Sequence, residues 1–284
     1  MSALFGPAGN SLSFKQKKYK SNLDIPIYLK EFNLEAYEYQ CGRGVNITCE
    51  NATLFGNAAK KENIALSVHA PYFISLSSVD EEKRIGSIRY ITESATAANA
   101  MGATKIIVHS GSCSKISREQ ALIYAKETLK NAKNTLKEMQ LDNIHICPET
   151  MGKINQLGDL NEVMELCLVD DSFIPCIDFG HLNARTFGGI KSINDYQKIL
   201  ETIKNKLGSD RLKIFHSHFS KIEYTISGGE KKHLTFEDNE FGPNFEPLAE
   251  LVAKQNLTPT FICESAGTQA EDALSMKKMW QKYL

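Results

Sequence analysis

Short runs of apolar residues alternate along this chain with longer segments in which apolar positions recur every three or four residues. The short runs predict buried β-strands, and the longer segments predict amphipathic helices. The predicted strands are residues 3–5, 36–39, 64–69, 105–109, 145–149, 173–178, 212–216 and 260–264. The predicted helices lie near residues 14–29, 52–61, 81–101, 117–139, 157–168, 192–207, 245–254 and 270–282.

The strict alternation of eight strands with eight helices predicts parallel strands joined by right-handed crossovers. Eight such units close into a (β/α)8 TIM barrel, and we expect one α/β domain that spans residues 1–284. Gly102 is expected to end the third helix and Asp159 to cap the fifth. A doubly wound open sheet is the alternative, but it would not gather residues from so many strands into one pocket.

Most of the predicted strands end in a histidine or a carboxylate. In a barrel, the carboxyl ends of all strands face one pocket, so these side chains are expected to form a single site. The residues at or just after these ends are His69, His109, Glu149, Asp178, His181, His216 and Glu264. In the motif Asp178-Phe-Gly-His181, the glycine is expected to allow a sharp turn that lets both side chains face the same cluster.

Composition bounds the function only loosely. The chain has 42% hydrophobic and 24% charged residues, as in ordinary soluble proteins, and no apolar run reaches the roughly 18 residues of a membrane helix. Its seven cysteines include no CxxC pair, which favours reduced thiols in a cytoplasmic protein, and the first residues do not resemble a secretion signal. The net charge of -1 gives no general attraction to nucleic acid.

Histidines and carboxylates without thiolates suit Zn²⁺, with Mn²⁺ and Fe²⁺ as further ions of the right kind. A single strand-end histidine is more often a hydrogen-bonded core residue than a ligand, and a single carboxylate often caps a helix. A whole set of them in one dry pocket would be costly without a cation. Glu149 and Glu264 could each bridge two ions, and paired ions about 3.5–4 Å apart are a common device for cutting phosphodiesters.

These residues resemble the endonuclease IV family of apurinic/apyrimidinic (AP) endonucleases over nearly the whole chain. The segments that carry the resemblance are His69-Ala-Pro-Tyr72, Val-His109-Ser-Gly, Glu149-Thr, Asp178-Phe-Gly-His181, His216 with Lys221, and Glu264. The resemblance implies a (β/α)8 barrel in the xylose-isomerase-like superfamily, two or three zinc ions, and cleavage of duplex DNA 5′ to abasic sites in base excision repair. It implies no membrane partner and no obligate protein partner.

The resemblance also implies roles for individual residues. Glu149 would bridge two metals, His69 and His109 would hold the first, and Glu149 and Glu264 would be the catalytic carboxylates. The remaining implied ligands are Asp178, His216 and Glu264 for the second metal and His181 for the third. Tyr72 matches a tyrosine that the family inserts into DNA to support the flipped nucleotide.

Two segments depart from the family pattern. The family completes its third metal site with Asp-Arg-His, whereas this chain has Glu230-Lys-Lys-His233, with one residue more between carboxylate and imidazole. Glu230 and His233 could substitute as ligands, since Glu is a methylene longer than Asp. The alternatives are a weak third site or a solvated basic turn. The family's intercalating arginine has no clean equivalent, although Arg43 lies in the matching region. Arg43 and Lys221 are therefore candidate DNA contacts, and further candidates on the same rim are Lys153, Arg185, Lys231 and Lys232.

The main alternative is a sugar or sugar-phosphate isomerase or epimerase with the same barrel. Such an enzyme would use one divalent ion held by Glu149, Asp178, His216 and Glu264, with the two glutamates as the acid/base pair. It would not need His69, His109 and His181 as ligands, and these three histidines favour phosphodiester cleavage. A third alternative is a metal-dependent binding protein without enzymatic activity. Two further histidines are expected to have structural roles: His145, at the start of its strand, and His218.

Overall fold

The computed structural model describes residues 2–113 and 115–284. Its main sheet has eight parallel strands, and a separate antiparallel hairpin lies between the seventh and eighth of them. The strands of the main sheet are β1 (Leu4–Pro7), β2 (Ala36–Gln40), β3 (Ala65–His69), β4 (Lys105–His109), β5 (His145–Glu149), β6 (Cys176–Asp178), β7 (His216–Phe219) and β10 (Thr260–Cys263). The hairpin consists of β8 (Ile222–Thr225) and β9 (Gly229–His233).

Helices connect the strands and surround the sheet. They are α1 (Leu12–Gln16), α2 (Ile25–Glu31), α3 (Cys49–Lys61), α4 (Glu81–Met101), α5 (Arg118–Glu138), α6 (Leu160–Cys167), α7 (Phe179–Arg185), α8 (Ile193–Leu207), α9 (Ser209–Lys213), α10 (Glu246–Lys254) and α11 (Gln269–Gln281). Asp159 caps α6 in a capping box with Glu162, and Gly102 ends α4 with a φ of 71°, as the sequence predicts.

The sheet closes into a barrel, which confirms the predicted fold class. Hydrogen bonds join the strands in the order β1-β10-β7-β6-β5-β4-β3-β2. The last seam, between β1 and β2, is made by a bridge between Ala8 and Glu38 and by the hydrogen bond from the Glu35 amide to the Phe5 carbonyl at 3.1 Å. Gly6 faces this seam closely, since a Cβ on it would lie 1.7 Å from the carbonyl oxygen of Ala36.

The structure differs from the sequence prediction in four places. The predicted helix over residues 14–29 is two short helices, α1 and α2, separated by a 3-10 turn at Asn22–Asp24. Residues 212–216 do not form a strand, because the helix α9 continues to Lys213 and β7 begins only at His216. The short helix α7 and the β8–β9 hairpin were not predicted. No helix among the described residues combines the length and apolarity needed to cross a membrane.

Candidate metal centre

The register of the parallel strands brings the strand-end side chains together. His109 on β4 is opposite Glu149 on β5, and Asp178 on β6 is opposite His218 on β7. His69 ends β3, and Glu264 directly follows β10. All of these strand ends lie on the carboxyl side of the barrel, so their side chains converge on one pocket.

Glu149 lies at the centre of this pocket and is almost fully buried. Its Oε2 is 3.3 Å from Nε2 of His69 and 3.3 Å from Nε2 of His109. Its Oε1 faces the other way, 3.0 Å from Nδ1 of His218 and 3.4 Å from Nδ1 of His181. The nearest imidazoles of the two oxygens therefore differ, as they would for a carboxylate that bridges two cations. Donor atoms of His69, Glu149 and His218 also lie within 4.8 Å of one another, so the two sets adjoin.

Backbone carbonyls orient two of the histidines. Nδ1 of His69 lies 2.8 Å from the carbonyl oxygen of Ala70, and Nδ1 of His181 lies 2.9 Å from that of Thr150. A carbonyl only accepts, so in the neutral imidazole the proton resides on Nδ1 and the lone pair on Nε2. Nε2 of each ring faces the pocket carboxylates, Glu149 and Glu230 respectively. Histidines that bind metals are commonly oriented in this way.

Asp178 connects the strand β6 to the helix α7. Its Oδ1 accepts a 2.7 Å hydrogen bond from the backbone amide of His181 and so caps α7. Its Oδ2 is buried without a hydrogen-bond partner among the described residues, and Asp178 belongs to a group with Glu149, His218 and Glu264 whose donor atoms lie within 4.8 Å of one another. The motif glycine, Gly180, permits close packing rather than a turn, since a Cβ there would lie 2.5 Å from the Ser220 carbonyl oxygen.

A further group of donors comes from the hairpin. His181, Glu230 and His233 place their donor atoms within 4.8 Å of one another, and Glu230 Oε2 is 3.5 Å from Nε2 of His181. Nδ1 of His233 is 2.8 Å from the hydroxyl of Ser220. The longer Glu-Lys-Lys-His spacing is accommodated because β8 and β9 pair with a register shift at Glu223 and Tyr224.

The structure places His218, and not His216, in the group with Glu149, Asp178 and Glu264. The reason is the seventh strand, which begins at His216 instead of ending there. His216 consequently lies one layer deeper in the barrel, where its Nε2 contacts Glu38 at 2.8 Å. The geometry thus groups His218, which was expected to be structural, with the candidate ligands of the second metal, where the sequence predicted His216.

Glu38 on β2 is a site residue that the sequence analysis missed. It is fully buried, and its carboxylate lies 2.8 Å from Nε2 of His218 as well as from His216. It lies within the run Ala-Tyr-Glu-Tyr and not at its end, so the rule of polar strand ends does not select it. A charged residue in the middle of an otherwise apolar strand was the signal that could have found it.

The pocket above these ligands has a volume of about 400 Å³ and is lined by Gln40, Lys153 and Gln156 in addition to the candidate ligands. Tyr72 borders it with a side chain that is 56% exposed, and its ring stacks on that of His109 with centroids 6.0 Å apart. The amide of Tyr72 donates to the carbonyl of Gly42, which places the exposed Arg43 in the adjacent loop. Tyr72 therefore lies on the rim of the pocket and Arg43 lies in the loop beside it, and their contacts with DNA stay a prediction.

Lys221 does not reach the rim. It is buried and donates to the backbone carbonyls of Phe236 and Asp238, so it holds a loop and is not available as a DNA contact. Other predicted basic contacts are also engaged: Arg185 donates to the carbonyls of residues 151, 153 and 156, and Lys231 and Lys232 pair with Glu223. Lys153 is exposed and lines the pocket.

The electrostatics of the pocket favour cations. Burial opposes the charge of Glu149, but the nearby His218 and hydrogen bonds from His109 and His181 outweigh it and hold the pKa of Glu149 well below its usual range. Burial, reinforced by the charges of Glu264 and Glu149 against that of His181, raises the pKa of Asp178 to about 6. Burial also opposes protonation of His181 and His218. The pKa of His181 is nevertheless raised well above normal by Asp178, Glu149 and Glu230, and that of His218 by Cys176 and by Glu264, Glu38 and Glu149.

This donor set fits a divalent metal. Its members are nitrogens and oxygens, and the two orienting carbonyls leave imidazole lone pairs directed inward. Oδ2 of Asp178 is buried and makes no hydrogen bond among the described residues, although Nδ1 of His181 lies 3.2 Å away. The raised imidazole pKa values show that protons neutralise the carboxylates where no cation does so. Zn²⁺, Mn²⁺ and Fe²⁺ all suit such donors.

The chain belongs to the xylose isomerase-like TIM barrel family, whose sequence model matches residues 28–282. It is 34% identical over 274 residues to the uncharacterized protein MJ0133 of Methanocaldococcus jannaschii, with 96% of each chain covered. It is 29% identical over 174 residues to a probable endonuclease 4 of Acholeplasma laidlawii, a match that spans 60% of this chain and 57% of that protein.

Two solved structures show the same fold. A D-tagatose 3-epimerase-like protein superposes with a TM-score of 0.73 at 19% identity and covers 99% of this chain and 96% of its own. Endonuclease IV from Thermus thermophilus superposes with a TM-score of 0.67 at 15% identity and covers 99% of this chain and 98% of its own. An epimerase-like protein and an endonuclease IV thus share this fold, and the fold alone does not distinguish the two activities.

Proposed function

We propose that this protein is a metal-dependent phosphodiesterase that cleaves duplex DNA 5′ to abasic sites. The observation that carries the proposal is the position of Glu149, whose two oxygens face separate sets of histidines. A one-metal isomerase needs only the group of Glu149, Asp178, His218 and Glu264. The additional donors His69, His109, His181, Glu230 and His233 have no role in that chemistry.

The proposed roles follow from position. Glu149 connects the His69–His109 side of the pocket to the side that contains Asp178, His218 and Glu264, and the hairpin completes a third position with His181. Two or three Zn²⁺ ions held by these residues would activate water and neutralise charge on the phosphate and the leaving oxygen. Tyr72, exposed above His109, is placed to stack against a sugar or base that is rotated out of the duplex.

The similarity to probable endonuclease 4 proteins supports this proposal. The match to such a protein of Mycoplasma pneumoniae has 30% identity over 196 residues and covers 67% of this chain and 64% of that protein. The arrangement of the donors supports it independently, because five of the candidate ligands lie outside the group of Glu149, Asp178, His218 and Glu264 that a one-metal isomerase would use.

A sugar epimerase is the second candidate, favoured by one specific observation. Duplex DNA is bound chiefly through its phosphates, yet Lys221 and Arg185 donate to backbone carbonyls of the protein. Lys231 and Lys232 are exposed, but both pair with Glu223. Arg43 and Lys153 are exposed near the pocket, which gives a weaker basic rim than the sequence predicts. A small uncharged substrate would need no such rim.

The test compares both reactions in one preparation. Purified protein reconstituted with Zn²⁺ or Mn²⁺ is incubated with a duplex oligonucleotide that carries one abasic site, with the undamaged duplex as control, and separately with ketohexoses and their phosphates. We expect a single nick 5′ to the abasic site that is abolished by chelation. An intact abasic duplex together with epimerised sugar would overturn the proposal in favour of the second candidate.

A further inference from the structure

The loop after β5, residues 150–156, contacts both segments that supply the hairpin group of candidate ligands. The hairpin group consists of His181, Glu230 and His233. The carbonyl oxygen of Thr150 lies 2.9 Å from Nδ1 of His181, which belongs to the helix α7. The carbonyl oxygen of Gly152 accepts the backbone amide of Glu230 at 3.1 Å. The loop therefore sets how the hairpin lies relative to α7.

Two glycines bring the loop and the hairpin close together. A Cβ on Gly152 would lie 2.6 Å from Cβ of Glu230, and a Cβ on Gly229 would lie 2.3 Å from the carbonyl oxygen of Gly152. Gly229 has a φ of 77°, which glycine adopts without strain, and it forms a β-bridge with Lys153. Because no side chain separates the two backbones, a displacement of the loop is passed on directly to Glu230.

Arg185 holds this loop from the side of α7. Its Nη1 lies 3.3 Å from the carbonyl oxygen of Met151, 2.7 Å from that of Lys153 and 3.2 Å from that of Gln156. Arg185 follows His181 by four residues, so it lies one helical turn further along the same face of α7. One helix therefore presents a donor of the hairpin group and also the guanidinium that fixes the loop on which the hairpin docks.

We infer that Arg185 is a positioning residue that sets the distance between His181 and Glu230 and thereby the metal affinity of the hairpin group. Oε2 of Glu230 is 3.5 Å from Nε2 of His181 in the structure. Without the guanidinium, the loop carbonyls lose their common donor, and the loop is held less firmly against the hairpin. Loss of such outer-shell support typically weakens metal binding by about 10- to 100-fold. The inference rests on the metal centre of the proposed function but not on the identity of the substrate.

Arg118 supports the same loop from α5. It donates to the carbonyls of Ile154 and Gln156, and it pairs with Glu162, which belongs to the capping box of α6. Because Arg118 keeps the far end of the loop in place, we expect variants of Arg185 to fold.

The alternative role for Arg185 is the DNA contact that the sequence predicts. A phosphate contact needs free N–H groups at the surface, whereas Nη1 is directed at loop carbonyls and Nη2 lies 3.5 Å from the carbonyl oxygen of Ile154. The two roles differ in what they change. A phosphate contact contributes to the salt dependence of DNA binding, and a positioning residue contributes to metal affinity.

The first measurement is the affinity of each successive Co²⁺ ion, by competition with a chelator, in wild type, Arg185→Met and Arg185→Lys. We expect the ion that is lost in His233→Ala to bind about 10- to 100-fold more weakly in Arg185→Met, with the other ions unaffected. Arg185→Lys keeps a donor for one carbonyl and should restore part of this affinity, and it serves the same comparison if Arg185→Met does not fold. Arg211→Met is the matched control, because Arg211 also donates to backbone carbonyls, those of Leu207 and Cys167, but does not line the pocket.

The second measurement is a double-mutant cycle. In the His233→Ala background, Arg185→Met should not weaken the remaining ions any further, since its effect passes through the hairpin group. Binding of an abasic duplex is then measured as a function of salt concentration, and we expect equal slopes for wild type and Arg185→Met. A phosphate contact would instead reduce the slope by about 0.9.

Unchanged affinity for every ion in a folded Arg185→Met protein would overturn the inference, and so would an equal loss in Arg211→Met. A weakening that persists in the His233→Ala background, or the absence of any ion that depends on His233, would overturn it as well. A reduced salt slope with unchanged metal affinity would make Arg185 a DNA contact. The metal measurements need no DNA cleavage, so an inactive protein would contradict the proposed function and leave the inference to be decided by metal affinity.

Discussion

Asp178 caps the helix that carries His181: its Oδ1 accepts the His181 backbone amide at 2.7 Å, while its Oδ2 lies 3.2 Å from the ring Nδ1 of the same residue. The three-residue spacing between Asp178 and His181 is thus the spacing of a helix N-cap and the backbone amide that it accepts from. Through this cap, a residue of the Glu149 group and a residue of the hairpin group are oriented together, and the two groups are geometrically dependent on one another.

Replacing the bridging carboxylate should abolish activity. Glu149→Gln keeps the volume but removes the charge that faces two sets of imidazoles. We expect a loss of more than about 100-fold in kcat on abasic DNA, above the usual effect of losing an outer-shell partner. The measurement is single-turnover cleavage, with circular dichroism to show that the barrel remains folded. Near-normal rates in a folded variant would exclude Glu149 from the reaction centre.

The metal content should depend on the hairpin. Elemental analysis of the loaded wild-type protein is expected to give two or three ions per chain, and His233→Ala should lower the count by one because it removes a donor from the group with His181 and Glu230. The matched control is His145→Ala, at the opposite end of its strand, where Nδ1 contacts the Ser172 carbonyl. An equal count in wild type and His233→Ala would mean that the hairpin holds no metal.

Metal binding should release protons and strengthen as the pH rises. The pKa values of His69, His181 and His218 are raised above normal in the metal-free protein, because neighbouring carboxylates outweigh the opposing effect of burial. A raised pKa means that the protonated imidazole persists to higher pH. Protons therefore compete with the metal for these nitrogens at neutral pH, and the competition weakens only at pH values above neutral. Calorimetry in buffers of different ionisation enthalpy measures the number released. Binding at pH 7 without proton release would contradict these shifts.

The exposed aromatic residue above the centre should matter for a DNA substrate. Tyr72→Ala removes a ring that stacks on His109, and loss of stacking against a base typically costs about 1–3 kcal/mol. We expect kcat/KM on abasic duplex to fall about 5- to 150-fold. Phe73→Ala is the control, because Phe73 is equally exposed at 55% but packs against Tyr90 of α4. Equal effects of the two variants would argue against a specific contact by Tyr72.

The seam that closes the barrel should be intolerant of a side chain at Gly6. Gly6→Ala would place a methyl group 1.7 Å from the Ala36 carbonyl oxygen, and we expect a loss of at least about 1–3 kcal/mol in the free energy of unfolding. Gly86→Ala, inside α4 with nothing within 4 Å, should instead stabilise by about 0.5–1 kcal/mol. Urea denaturation measures both. A Gly6→Ala protein as stable as wild type would contradict the described closure.

The barrel and most of its candidate ligands could be predicted because both depend on local patterns. Apolar runs locate the strands, and a polar residue at the end of such a run lies on the carboxyl side of the barrel. His69, His109, Glu149 and Glu264 follow this rule. His216 and His218 do not follow it. The apolar run before them begins at Leu212, which belongs to the helix α9, so the seventh strand starts at His216 instead of ending there. The sequence pattern alone does not distinguish the end of a short helix from the start of a strand.

Glu38 could not be predicted from local pattern at all. Its burial is tolerated only because His216, His218 and Ser67 reach it from distant positions along the chain. The same holds for Lys221. From the sequence it is expected at the surface as a DNA contact, but it donates hydrogen bonds to carbonyls of a loop more than ten residues further along the chain. The burial of both residues depends on tertiary contacts with segments far away in the sequence. The local sequence around Glu38 or Lys221 carries no sign of these contacts.

The β8–β9 hairpin has a consequence for how this barrel could acquire new chemistry. It is not part of the main sheet, and it contributes both Glu230 and His233, whereas Glu149, Asp178, His218 and Glu264 come from the ends of barrel strands. Shortening this surface connection would therefore remove two of the three donors in the group with His181 and leave the group of Glu149, Asp178, His218 and Glu264 intact. The number of donors around the pocket thus depends on one hairpin outside the main sheet, and it could change without any change to the core of the barrel.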